Sequence, residues 1–493
     1  MKKESDVIKS AKGMSLMTAV TMVDYVFNLV ITYIIARILT PSDYGEVSAI
    51  TVMVGFADLF WQLGVGPALV QKKSLTEKDI ATGHTLNMIF GFSLFAIINL
   101  FAGLWSNLFS IASIPMLRVY SLSFILNSIL ATPKSLAQKK CKFKEIALIT
   151  CSSVVVYGIV TITFAKLGYG PWALIYGNIG RFLYKTVTFV IVEKVKFNIM
   201  IDKNSAKSLL YFGGGHTLAR IFNYIANNGD SFVINKTLGK VDLGNYTKAH
   251  SLLNYPATLI GQSLDQVLFP ILSGCQDDIP KLKRTFNAGT GIIALFSIPI
   301  SVVCYFCSDD LILFYLGEKW LSVSLPFKVM ISGLFFRTAY KLSDSVIRAI
   351  GKVYQRSLVQ IVYASLVVLC TYIGHFFGLW AVALGVTFSF IANYFMMYLL
   401  CTKYIKIKLR DALRALLPAV VYGGISAIIL VICMKLFINN IGSHLLVCVA
   451  DTIVVFAVYF GLLITTRKYT LTKEMNGMFD TVIGSVKKKL CKK

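Results

Sequence analysis

Apolar residues in this chain do not alternate with polar ones at the spacing of a half-buried strand. They come in runs long enough to cross a bilayer, about 20 residues each, separated by short polar stretches. The pattern predicts 14 helices, over 13–38, 43–66, 82–105, 113–133, 146–167, 171–193, 208–236, 243–272, 287–307, 324–349, 355–378, 380–402, 413–437 and 443–466. Within several runs the polar residues recur at helical spacing and so form a stripe on one face. Span 1 carries Thr21, Asp24, Asn28 and Thr32, and span 2 carries Ser48, Thr51, Asp58 and Gln62. Span 6 carries Asn178, Arg181, Lys185 and Thr188; span 7 has His216, Arg220, Asn223, Asn227 and Asp230. Span 8 has Asn254, Thr258, Gln262 and Asp265, and span 10 has Arg337, Lys341 and Asp344.

Composition agrees with an all-α polytopic membrane protein. The 493 residues are 56% hydrophobic and 15% charged, which excludes a soluble enzyme, a disordered chain and a secreted disulfide scaffold. The ten cysteines are scattered, and Cys304 and Cys307 lie in an apolar span without a second pair, so neither a disulfide framework nor a metal site is expected. The net charge of +25 would suit nucleic acid, but the loops account for it. Counting alternate loops, 35 of the 49 basic residues fall on one side and five, Arg37, Lys166, Lys236, Lys240 and Lys319, on the other. That bias puts the richer side, and both termini, in the cytoplasm. No basic cluster interleaved with aromatics remains for nucleic acid. Met1–Lys12 and the apolar run after it read as a cytoplasmic N-terminus and a first helix, since the run is too long for a cleaved signal.

The chain also repeats itself. Residues 37–48, RILTPSDYGEVS, match 236–247, KTLGKVDLGNYT, with Leu39, Asp43 and Gly45 offset by 199 from Leu238, Asp242 and Gly244. YGPWAL at Tyr169–Leu174 matches FGLWAV at Phe377–Val382. Two matches at corresponding places point to a duplication. It divides the chain into a cytoplasmic N-terminus (1–12), an N-lobe (13–193), a C-lobe (208–402), an appended helix pair (413–466) and a basic tail (467–493). Six helices per lobe give both the same membrane orientation. The paired aspartates are expected to cap the helices that follow, and the paired glycines to allow tight turning or close packing.

Nine basic residues remain inside spans. A charge at bilayer depth costs at least about 2.5 kcal/mol on insertion scales, so it faces a partner or a watery cavity. Packing pairs are one account, Lys341 with Asp344 for instance. The surplus of Arg181, Lys185, Arg220, Arg337, Lys341 and Arg118 over nearby acids favours an anionic cargo such as a phosphate. Asp24, Asp58, Asp265 and Asp344 are the candidates for ion coupling. No P-loop, G-x-S-x-G or H-E-x-x-H motif occurs, and the outer loops are at most about 13 residues, so neither an enzyme activity nor a cofactor is expected.

Two stretches carry a resemblance. IIARILTPSDYGEVSAITVMVGFADLFWQLGVGPALVQKKSLTEKDIAT (Ile34–Thr82) and GNYTKAHSLLNYPATLIGQSLDQVLFPILS (Gly244–Ser273) resemble the polysaccharide-transporter family of bacterial O-antigen and exopolysaccharide flippases. The resemblance implies a Wzx-type member of the MOP superfamily, with two MATE-like six-helix lobes about a central cavity. It further implies a protein of the bacterial cytoplasmic membrane that flips undecaprenyl-diphosphate-linked oligosaccharide, with glycosyltransferases and a polysaccharide polymerase as partners. The alternative on the same scaffold is an ion-coupled drug or metabolite antiporter. Surplus cations would repel the cationic drugs many such pumps export.

Overall fold

The computed structural model describes residues 20, 22–61, 65–72, 74–194, 198–274, 278–407, 409–436, 444–471 and 475–476, and among these every regular element is a helix. Helix α1 covers 22–38. It is followed by α2 (Pro41–Trp61), α3 (Val65–Gln71), α4 (Glu77–Leu100), α5 (Ala102–Phe109), α6 (Ile114–Tyr120) and α7 (Leu122–Lys139). Then come α8 (Phe143–Lys166), α9 (Trp172–Glu193), α10 (Lys203–Thr237), α11 (Lys240–Ser273), α12 (Ile279–Phe306) and α13 (Ser308–Tyr315). The chain closes with α14 (Ser324–Ser332), α15 (Leu334–Ala349), α16 (Val353–Gly374), α17 (Leu379–Ile405), α18 (Leu409–Leu436) and α19 (His444–Thr470).

Eight stretches among the described residues are long and apolar enough to cross a membrane: α4, α6 with α7, α8, α12, α16, α17, α18 and α19. Their outward faces carry exposed Leu100, Ile159, Leu358, Ile428 and Ile464, the surface of a multi-pass membrane protein. In α2, α9, α10 and α11 charged residues interrupt the apolar run, and span 10 is divided at Gly333 between α14 and α15.

The chain forms two compact units, Met1–Thr247 and Lys248–Lys493. In the first, α4 packs on α7, α7 on α9, and α8 along α9, while α10 lies against α2, α3 and α4. In the second, α12 packs on α15 and α18, α17 on α15 and α16, and α18 on α19. Its core gathers Phe286, Phe335, Met397, Tyr398 and Tyr459. The hairpins α8–α9 and α16–α17 hold the repeated YGPWAL and FGLWAV segments. Each turns at a glycine with positive φ, Gly170 (+52°) and Gly378 (+97°), a region costly for a residue with a Cβ.

The start of α2 follows from its sequence. Thr40 Oγ1 accepts the N–H of Asp43 at 3.3 Å, and Asp43 Oδ2 accepts the N–H of Thr40 at 2.8 Å, a reciprocal capping box. Four residues into α2 the repeat appears in space. A Cβ on Gly45 would overlap the carbonyl oxygen of Lys240, and one on Gly244 would overlap that of Pro41. Ser48 Oγ lies 3.4 Å from Thr247 Oγ1, and Lys240 Nζ 3.6 Å from Glu46. Without side chains, the two glycines let backbone meet backbone.

Several basic loop residues counted as topology signal also hold helix ends. Lys139 Nζ donates to the carbonyls of Leu69 and Val70 at the close of α3, at 3.3 and 3.2 Å. Lys140 and Lys142 grip Glu193 at the end of α9, at 2.7 and 2.8 Å.

Candidate substrate site

Three helices of the first unit bring charges together. Asp24 on α1 faces Arg181 on α9, with Nη2 to Oδ2 at 3.7 Å. Its other oxygen, Oδ1, is buried without a hydrogen-bond partner among the described residues, as is Nε of Arg181. Lys185, one turn on from Arg181, shares the electrostatic field of Arg181, Lys134 and Asp24. The local sum is three cations against one carboxylate, a surplus that a packing pair does not need.

Beside this cluster opens a cavity of about 670 Å³. Asp58 of α2 lines it, with Asn127, Lys134, Ser135 and Gln138 of α7 and Phe182 of α9. Its volume is that of a small-ligand pocket, and its wall mixes apolar surface with a few polar groups. Lys134 is exposed to this cavity. Tyr120 and Tyr224 lie within the electrostatic field of Asp58, and Tyr224 donates to the carbonyl of Val52 at 2.6 Å.

Lys134 is the residue that sequence reasoning missed. The apolar run of span 4 ends at 133, which leaves Lys134 among the cytoplasmic loop cations. Instead α7 runs through Pro133 to Lys139, because a proline in a packed helix costs one hydrogen bond without ending it when neighbours hold the rest. The signal was present: Asn127, Ala131, Lys134 and Gln138 recur at helical spacing on one face.

The other candidates fall elsewhere. Arg118 lies in the last turn of α6, exposed, and does not line the cavity. In the second unit Arg337 donates to Tyr363 Oη at 3.2 Å, with its guanidinium 4.7 Å from the ring centre of Phe390. The stem of Lys341 lies against Gly261. Asp344 is held by Arg348 at 3.0 Å and by Arg356. Arg220, His216 and Asp265 fall on α10 and α11, but their side chains lie outside the described residues. Cys307 donates to Asp451 at 3.0 Å, and among the described residues no three metal-ligating side chains converge.

Residues 34–325 match the model of a family described as polysaccharide biosynthesis protein. The chain belongs to that family. Polysaccharide biosynthesis proteins similar to it include the lipopolysaccharide biosynthesis protein WzxC of Escherichia coli, 23% identical over 64% of this chain and 65% of the relative. The teichuronic acid biosynthesis protein TuaB of Bacillus subtilis is 24% identical over 60% and 62%. The chain thus matches a little under two thirds of these relatives' length. Among solved structures, a lipid II flippase MurJ in an inward closed conformation shares the fold, with a TM-score of 0.73, 18% identity and 92% and 99% coverage. An inward-facing multidrug resistance MATE transporter of the MOP superfamily gives 0.63, with 14% identity over 78% and 94%. The family and this fold accord with the resemblance read from Ile34–Thr82 and Gly244–Ser273.

Proposed function

We propose that this polysaccharide biosynthesis protein flips an undecaprenyl-diphosphate-linked oligosaccharide from the cytoplasmic to the outer leaflet of the bacterial cytoplasmic membrane, without catalysing a covalent step. The observation that carries the reading is the surplus of Lys134, Arg181 and Lys185 over Asp24 beside an open cavity in the first unit. A diphosphate is bound by guanidinium in two-pronged fashion and by ammonium as a point charge. Arg220, Arg337 and Lys341 are assigned to the same anion-handling role, and Asp58 to keeping the cavity polar. The names of similar proteins support this: one is a lipopolysaccharide biosynthesis protein, another a flippase of lipid II. The basic loops support cytoplasmic termini, and the repeat supports two lobes over 13–193 and 208–402 with 413–466 appended. Transport by alternating exposure of the site needs the cargo to bind more tightly in one state than the other. Glycosyltransferases that build the oligosaccharide and a polymerase that consumes it are the partners this role requires.

One feature favours a second reading. The unpartnered Oδ1 of Asp24 could couple an ion, as an antiporter needs. A single assay separates the two. In cells depleted of the protein, an impermeant reagent is used to probe outer-leaflet lipid-linked oligosaccharide. Loss of exposure, restored by the gene, supports flipping; unchanged exposure together with lost export of a small solute supports the antiporter.

A further inference from the structure

We propose that the cleft between the first turns of α12 and α18 binds the phosphate of an anionic membrane phospholipid. The cleft encloses about 380 Å³ and is lined by Lys283, Arg284 and Asn287 of α12 and by Asp411 and Arg414 of α18. Lys283 reaches Asp411 at 2.7 Å and ties the two helices together. That leaves the guanidiniums of Arg284 and Arg414 facing one cleft, both exposed, with no carboxylate paired to either among the described residues. Asn287, one turn deeper than Arg284, has its carboxamide oxygen buried with no hydrogen-bond partner among the described residues. An amide in that position can turn its NH₂ toward an anion. Two helices of 28 residues each begin here, so the positive ends of their dipoles add to the same field.

The ligand is therefore a compact oxyanion, and a phosphate fits the chemistry. Its source is read from the surface around the cleft. Around and beyond Arg414, α18 presents Leu413, Leu417, Val420 and Val421 outward, 57%, 61%, 55% and 45% exposed. An acyl chain lying along that ridge would keep its head group at the arginines, whereas a free phosphate would make no use of it. Basic pockets between membrane helices near the cytoplasmic surface are where anionic lipid head groups dock, and the loop bias puts these two helix starts on that side. Bound there, the lipid bridges α12 and α18 beside the Lys283–Asp411 pair. This site is separate from the cavity of the first unit and does not rest on the transport reading.

The test uses the full-length protein in neutral detergent. It is titrated separately with phosphatidylglycerol, phosphatidylcholine and inorganic phosphate, reading bound adducts by native mass spectrometry and the unfolding midpoint. Phosphatidylglycerol is expected to bind and raise the midpoint where phosphatidylcholine does neither. The double variant Arg284→Gln with Arg414→Gln should lose about tenfold or more in apparent affinity, the scale of one charge-assisted hydrogen bond. Arg284→Lys with Arg414→Lys should keep most of it. A charge-matched control, Lys144→Gln with Lys203→Gln at exposed positions, should bind like the parent. If the double glutamine variant unfolds, the single Arg414→Gln variant carries the test. Undiminished phosphatidylglycerol binding in the glutamine variants overturns the proposal, as does equal loss in the control. Inorganic phosphate that protects as well as the lipid and displaces it overturns the lipid assignment.

Discussion

A charged residue in a membrane helix is informative only once its neighbours are known. Arg181 and Lys185 stood out in the sequence because they sit in an apolar run, and the structure sets Arg181 opposite Asp24. Lys134 did not stand out, because it directly follows the apolar run and so counted among the loop cations, yet it faces the cavity. On the proposed flipping, Lys134→Gln is expected to cut transport about tenfold or more, and Lys134→Arg to retain most of it, measured as outer-leaflet exposure of the lipid-linked cargo. Arg118→Gln, at an exposed position of α6 away from the cavity, should change it little. Outside the spans, Asp309 shows how a local pair sets a titration. Burial alone would raise its pKa, but Lys328, at 2.7 Å, and Ser324 outweigh burial and hold the carboxyl below its ordinary range. A carboxyl with a lowered folded pKa contributes stability above its unfolded pKa and loses it as pH falls through the folded value. The unfolding midpoint in detergent should therefore drop on acidification more steeply for the parent than for Asp309→Asn.

At the scale of elements, run length and polar spacing were enough to place helices. Among the described residues the apolar runs fall mainly on helix, eight stretches being long and apolar enough to cross a membrane, and the repeated aromatic segments sit at matching hairpins. What sequence could not supply was where runs break. Span 10 divides at Gly333, and spans 3 and 4 are joined through the short helices α5 and α6, since packing rather than hydropathy decides such breaks. The linker glycines are a sharper case. The repeat left tight turning and close packing both open for them, and the structure shows close packing; their partner was not legible, because contact between segments 199 residues apart leaves no local trace. Gly45→Ala and Gly244→Ala should each destabilise by about 1–3 kcal/mol, since the obstructing atoms are backbone carbonyls that cannot swing aside. The check is the unfolding midpoint, with Gly103→Ala, which has open space around it, as the control.

For the whole molecule, loop charge predicts sidedness. Single cysteines introduced at Lys144 and at Lys319 in a background without the native ones should label from opposite sides of the membrane, Lys319→Cys from outside. Labelling of both from one side would refute the orientation. The linker contact carries a further consequence. Gly45 touches Lys240 while Gly244 touches Pro41, one contact and its copy exchanged by the offset of 199, and Ser48 meets Thr247, its own counterpart. A residue can meet its own copy only where a two-fold axis passes, as in an isologous dimer. The contact is what would be left if two identical chains had once associated through this turn and were later joined. Glycine would then have been required at one position of one ancestral gene, and inherited twice.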